Sequence, residues 1–335
     1  YGDHRDLHSF PTRRSSDLID QPRGMNAGPT APGQVGDAGH RAGIEYVGHR
    51  EQPRGDAADA VVEERRGAPG LDIEPCFAQP LPWQIQPAGA GILAATGAVR
   101  ATPSMVRVVG NDSVVTSLPE VVPHASAKEK VHAQAWVVGP GRGTGPEAAA
   151  ELRAVLERGL PTIIDADALT VLSTDGDLRE LVRDHPCAVL TPHSGEFERL
   201  YAATLGRELD LAEGLGVRLR ELSDALDCFI LHKGRITMVT APGQKIYGMN
   251  AGHSYAATAG SGDVLSGILG ATLAQLDAAE ADAEAIIMEV LHAAAIHQHA
   301  AAIAAHTPDG FGLCSASQIA AAVPQAIARL LLMQR

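Results

Sequence analysis

Along the chain the pattern of apolar and polar positions changes sharply near residue 89. From there on, short apolar runs alternate with stretches of helical period, and each run ends in small or charged residues. The run AWVV at 135–138 predicts a buried strand, followed by the loop GPGRGTG at 139–145 and a helix, PEAAAELRAVLERG, stopped by Gly159. PTII at 161–164 is the next predicted strand, then a helix, a turn at 173–177 and the helical LRELVRDH. CAVL at 187–190 predicts a strand running into Thr191, Pro192 and His193. The helix SGEFERLY follows, and an amphipathic helix covers roughly 210–226. CFIL at 228–231 predicts a further strand, ending in His232, Lys233 and Gly234. Residues 237–240 and 244–247, joined at Pro242-Gly243, predict a hairpin at the sheet edge, and three helices start near Ser261, Asp282 and Ser315. Fully apolar strands alternating with helices across short connections predict an α/β fold, a doubly wound, mostly parallel sheet with helices on both faces.

Residues 1–86 show no sustained period and are rich in Gly, Pro, Arg, Asp and Gln. They are expected to form a disordered or non-native segment, such as a wrong-frame translation of GC-rich DNA, leaving 87–335 as the folded domain. The opening YGDHRDLHSF lacks the features of a signal peptide, and no uninterrupted apolar run reaches the roughly 18 residues that span a bilayer.

With 335 residues, 45% of them hydrophobic, the chain can bury a large core, and its net charge of −13 argues against nucleic acid or an anionic membrane as partner. Small molecules are the expected partners and the cytoplasm the expected compartment. Cys76, Cys187, Cys228 and Cys314 are scattered without a CxxC pair, as buried thiols in a reducing compartment would be.

Chemistry collects at the strand ends, where open α/β sheets bind ligands. GPGRGTG offers backbone N–H groups to a flat or phosphorylated ligand, or is a plain strand-to-helix turn. Asp165 and Asp167 can hold a hydrated Mg²⁺, or Asp167 can cap the helix it precedes. His193 can meet a ligand or cap a turn. Lys233 can set its ammonium against phosphate oxygens, with Gly234 giving room and Thr237 a hydroxyl, or can be a solvated turn residue. His292, His297 and His299 are spaced by five and two, which does not align three ligands on one helical face, so they are taken as ordinary helix histidines and no metal site is assigned to side chains. The stretch TAGSGDVLSGILGATLAQ at 258–275 exposes N–H groups at 260–262 ahead of an apolar helix, an anion hole for a phosphoryl group in transfer. Asp263 at that junction is suited to accept the proton of an attacking hydroxyl; the plainer alternative is a first-turn acid stabilising the helix dipole by about 0.3 to 1 kcal/mol.

The motifs WVVGPGRGTG, TIIDADAL, LTPHSGEFERL, HKGRIT and NAGHSYAATAGSGDVLSGILGA, in that order, resemble those of the ADP-dependent, in some lineages ATP-dependent, NAD(P)H-hydrate dehydratases, a branch of the ribokinase-like kinases. The resemblance runs from 89 to 333 and implies a ribokinase-like fold and a hydro-lyase that uses ADP (or ATP) with Mg²⁺ to return the S epimer of NADHX or NADPHX to NAD(P)H. Phosphorylation makes a leaving group of the C6 hydroxyl, and phosphate then eliminates. By the same resemblance Ala90, Gly141, His193 and Asp263 contact the hydrate, Asp263 as base, while Lys233, Gly234, Arg235, Ile236, Thr237 and Gly262 hold the nucleotide. It implies a cytoplasmic homo-oligomer, with a tetramer as one option. The family's first strand and Gly-rich turn, due ahead of Gly89, have no counterpart in 1–86, and Ser254-Tyr255 stands where the family often has Pro-Gly. Two other readings share parts of the pattern: a ribokinase-like kinase of a hydroxymethyl vitamin precursor, which shares GSGD, and a catalytically silent nucleotide-binding protein.

Overall fold

In the computed structural model the described residues are 44–46, 87–110, 112–129, 132–277 and 280–333. In chain order they form β1 (Ile44–Tyr46), α1 (Pro87–Ala101), β2 (Arg107–Val109), α2 (Asp112–Ser117), β3 (Val122–His124), β4 (Trp136–Val138), α3 (Pro146–Leu156) and β5 (Thr162–Ile164). Then come α4 (Asp167–Thr174), α5 (Gly176–Arg183), β6 (Ala188–Leu190), α6 (Ser194–Leu205), α7 (Leu215–Leu226), β7 (Phe229–His232), β8 (Ile236–Thr240) and β9 (Ile246–Asn250). The chain closes with α8 (Ser261–Leu273), α9 (Ala283–Ala305), β10 (His306–Thr307), β11 (Gly310–Phe311) and α10 (Ala316–Met333).

Seven strands make the main sheet in the order β1-β9-β8-β7-β6-β5-β4. β4 to β7 are parallel neighbours in sequence order, β7-β8-β9 are antiparallel, and β1 runs parallel to β9. Right-handed crossovers that always step the same way put every connecting helix on one face. Thus α3 to α7 cover one side, where Val138, Ile164, Leu190 and Ile230 are buried with Leu152, Leu172, Phe197 and Leu222. The other side falls to helices outside those units. There Ile163, Val189 and Leu231 pack with Ile268, Val290 and Ile319 of α8, α9 and α10. Neighbouring residues such as Ile163 and Ile164 enter opposite cores, as strand alternation requires, which is why these strands are apolar throughout.

Several expectations shift. β9 begins at Ile246 rather than Gln244, and it is not the sheet edge, because the three residues Ile44–Tyr46 pair outside it. A first segment without any strand therefore meets one short strand in the sheet; the rest of 1–86 lies outside the described residues. α7 starts at Leu215 rather than near 210, since Gly214 at φ 91° breaks the backbone just before it. α9 and α10 are, among the described residues, two helices long and apolar enough to cross a membrane by length and composition; Glu, His and Gln interrupt their runs, so run length alone passed over them, and half of the qualifying window of α9 is buried in the core. Cys187, Cys228 and Cys314 are buried free thiols, and burial pushes the Cys187 thiol up to about 11. β2 and β3 form a separate parallel pair.

Candidate active site at the carboxyl ends of the strands

The loops after β4, β5, β6 and β7 meet the first turn of α8 at one rim of the sheet. Three backbone features build that rim. Gly139, at φ 122°, has no space for a Cβ, which would strike the Asp165 carbonyl, so glycine alone lets the end of β4 pass the end of β5. Beyond the ends of β6 and β7, His193 and Lys233 continue the parallel pairing, with the Lys233 N–H donating to Pro192 O at 2.8 Å. Gly260, at φ 81°, turns the chain into α8 against Leu93 of α1. Ala90, one helical turn from Leu93, lies on that same face of α1.

Side chains then converge from both directions. Lys233 Nζ donates to Asp165 Oδ1 at 2.6 Å and lies 3.9 Å from Glu196 Oε2. Asp165, 1% exposed, also accepts from the Ser266 hydroxyl at 2.5 Å on its second oxygen. A Cβ placed on Gly262 would stand 3.4 Å from Lys233 Nζ, so the ammonium lies over the opening turn of α8. No side chain caps that helix end, and its leading N–H groups are unclaimed by a capping residue. Asp263 stands there with its carboxyl pushed up to about 7: burial is the largest cause, the Asp165 charge adds to it, Lys233 opposes, and Asp167 and Glu196 raise it further. A carboxyl near neutrality can take up a proton and release it. Ser261, the first residue of α8, is anchored by His297 of α9 at 2.9 Å; burial drives that imidazole down to about 4, so it is neutral.

The expected residues do not all end in one place. Asp263, Gly262, Lys233 and Asp165 are brought together. Gly141 sits at φ 67° in the loop after β4, and the neighbouring Gly143 N–H donates to Asp167 Oδ2 at 2.8 Å. Asp167 is thereby corrected: it is the first helical residue of α4, whose N-cap is Ala166, and its carboxylate steadies the glycine loop instead of capping. His193 does cap α6, its Nδ1 accepting from Gly195 and Glu196 N–H at 3.1 and 3.3 Å, while Glu196 returns a bond to the His193 N–H at 2.9 Å. Its side chain is still 56% exposed, and with Nδ1 accepting, a neutral ring carries its proton on Nε2. Gly234 and Arg235 are exposed in the turn before β8, Ile236 is half-buried, and the buried Thr237 hydroxyl accepts from Gln298 of α9 at 3.2 Å. Among the described residues no three His, Cys, Asp or Glu side chains form a metal cluster, and His292, His297 and His299 contact Glu289, Ser261 and the Ala295 carbonyl respectively.

Two members of the cluster escaped sequence reasoning. Glu196 was visible only as part of a helix, although an acid three residues after a capping His193 signals a reciprocal cap. Ser266 was hidden in the apolar stripe of α8, where a hydroxyl on the buried face, one of three with Ser261 and Thr272, is the available signal.

Residues 85–320 match the NAD(P)H-hydrate dehydratase family. A bifunctional NAD(P)H-hydrate repair enzyme of Corynebacterium glutamicum is 42% identical over 261 residues, 72% of this chain and 45% of that protein. An ADP-dependent (S)-NAD(P)H-hydrate dehydratase of Neisseria meningitidis is 36% identical over 167 residues, 49% of this chain and 55% of the relative. The chain thus spans about half the length of the relatives it matches. The ADP/ATP-dependent NAD(P)H-hydrate dehydratase of Bacillus subtilis, crystallised with ATP and Mg²⁺ and soaked with CoA, superposes with a TM-score of 0.59 at 23% identity over 73% of this chain and 88% of its own, which shows the shared fold. With the motifs in order, the rim assembled and this match covering most of the described domain, the chain belongs to the NAD(P)H-hydrate dehydratase family and has its ribokinase-like fold.

Proposed function

We propose that the chain catalyses the ADP-dependent dehydration of the S epimer of hydrated NADH or NADPH. The observation that carries the reading is Asp263, a carboxyl near neutrality set between an uncapped helix N-terminus and a lysine ammonium. The N–H groups of Gly262 and Asp263 and the Lys233 ammonium receive the terminal phosphoryl of ADP, where the helix dipole favours negative charge. Asp263 takes the proton from the C6 hydroxyl as its oxygen attacks that phosphoryl, and AMP departs. The new C6 phosphate ester then leaves as phosphate while a proton is lost from C5, which restores the double bond of the reduced nicotinamide. His193, exposed at the same rim, and the backbone around Ala90 and Gly141 are the surfaces for the nicotinamide hydrate. Gly234, Arg235, Ile236 and Thr237 carry the nucleotide side.

Magnesium fits this donor set as an ion borne by the nucleotide. The described residues offer carboxylates without a three-ligand cage, and Mg²⁺ is commonly held by one or two carboxylates, phosphates and water. Asp167 is the residue that would hold it, and the ion would neutralise charge on the phosphoryl group.

The test mixes the chain with ADP, Mg²⁺ and the S hydrate and follows the return of reduced-nicotinamide absorbance together with AMP. Phosphorylation of a hydroxymethyl vitamin precursor, without action on the hydrate, would make it a different ribokinase-like kinase. ADP binding with no turnover of either would make it a silent nucleotide-binding protein. Either result overturns the reading.

A further inference from the structure

Two neighbouring residues of α9, His297 and Gln298, reach two different parts of the rim. Ser261 Oγ and His297 Nε2 meet at 2.9 Å, at the first residue of α8. Gln298 Nε2 donates to Thr237 Oγ1 at 3.2 Å, in β8. The His253 ring, from the loop ahead of α8, approaches the backbone of the same Gln298. Ser261, Thr237 and His297 are all buried, and Ala293, Ala294, Ala300 and Ala301 hold α9 in the core on either side of the pair. The helix is thus a fixed post, and its two polar side chains are tethers.

Packing alone does not call for these side chains. A buried hydrogen-bonded pair replaced by apolar groups of the same shape leaves stability nearly unchanged. A buried imidazole also carries a desolvation cost that leucine would not. What apolar contacts do not supply is direction, since a hydrogen bond fixes where its partner atom lies. Both tethers end where direction matters. α8 opens without a side-chain cap, and the Val264 N–H reaches Gly260 O at a long 3.3 Å, so the leading turn has little of its own to keep it wound. On the other side, β8 follows the exposed turn at 234–235, and Thr237 is the first buried residue after it.

We propose that His297 and Gln298 are positioning residues that fix the spacing between the anion hole at the start of α8 and the nucleotide strand β8, His297 through Ser261 and Gln298 through Thr237. The role rests on the proposed function, in which the phosphoryl end of ADP meets Gly262 and Asp263 while residues 234–237 carry the rest of the nucleotide. A ligand that bridges two elements binds best when their separation is set before it arrives, because no ordering remains to be done. One buried helix that grips both elements sets it. Neither side chain needs to touch ADP or the hydrate.

The test compares His297→Leu with Ser261→Ala, with the double variant, and with His297→Gln, whose amide can stand in for Nε2. Val290→Ala, a core truncation about two turns away on the same helix, is the control for lost stability. In hydrogen exchange, the Val264 and Leu265 amides, relative to those of β5 and β6, should exchange about tenfold faster in His297→Leu and Ser261→Ala, and not in His297→Gln or Val290→Ala. Gln298→Leu should likewise speed the amides of 237–239 and leave α8 unchanged. By calorimetry the Kd for ADP should rise about tenfold in His297→Leu, rise no further in the double variant, and recover in His297→Gln. Unchanged relative exchange in His297→Leu, an equal effect from Val290→Ala, or additive losses from His297→Leu and Ser261→Ala would each overturn the proposal. A parent chain that binds no ADP would refute the proposed activity, and the exchange comparison, made without nucleotide, would still decide the tethers.

Discussion

Lys233→Met keeps the aliphatic stem of the side chain and deletes the ammonium, which isolates what the contact with Asp165 contributes. Asp165 is 1% exposed, and the Lys233 side chain 20%. Removing one partner of a buried ion pair costs about 3 to 5 kcal/mol, because the remaining charge stays desolvated. Here the partial exposure of Lys233 and the bond that Ser266 still gives Asp165 bring the cost below that range, to about 2 to 3 kcal/mol. For a domain of this size that lowers Tm by about 4 to 12 °C. Urea denaturation of Lys233→Met, Asp165→Asn and the double variant forms the assay; the two losses should fall short of additivity by about 1 kcal/mol or more. Calorimetry on the same proteins should show ADP binding weakened by about 1.5 to 3 kcal/mol in Lys233→Met, the range for charge-assisted hydrogen bonds. Unchanged stability with additive effects would refute the buried pair, and an unchanged ADP affinity would remove Lys233 from the nucleotide site.

Two further outcomes follow from packing and from pH. Gly267→Val should destabilise the fold by about 1 to 3 kcal/mol, because a Cβ there strikes the Ala94 carbonyl and would lie 2.8 Å from Ala98 N where α1 crosses α8; an unaltered melting curve would contradict that contact. The Asp263 carboxyl, raised from 3.8 to about 7 in the folded protein, binds a proton there that the unfolded chain has released, so its stabilising contribution is complete below about 3.8 and lost as pH climbs through 7. Relative to Asp263→Asn, the parent protein should therefore lose stability between about pH 4 and about pH 7 and level off above that in paired denaturation, and a difference that stays flat across this range would refute the shift.

The strands from 135 onward were legible because a parallel strand buried on both faces must be apolar at every position, and its end is marked by the residue that leaves the sheet: Gly139, Asp165, His193, Lys233. Asp263 was legible from its glycines. The pairing of Lys233 with Asp165 was not, since the two are 68 residues apart and meet only because β6 and β7 follow β5 side by side. Local pattern carries no strand order. Asp167 looked like a cap for the helix it opens, and only the approach of the glycine loop after β4 shows its carboxylate turned to the Gly143 N–H. Ile44–Tyr46, three residues with a glutamate in the middle, is too short and too polar to stand out as a strand; its place comes from β9 beside it.

Turnover of the S hydrate by Asp263→Asn, measured across pH beside the parent protein, tests the central claim most directly. Asparagine keeps the shape and loses the proton acceptor, so kcat should fall about 10²- to 10⁴-fold while ADP affinity stays level or improves. In the parent, kcat/KM should rise as pH passes about 7, where the Asp263 carboxyl ionises, and that rise should vanish in the variant. An Asn variant with full turnover and the same pH profile would show that Asp263 is a first-turn acid of α8 and nothing more.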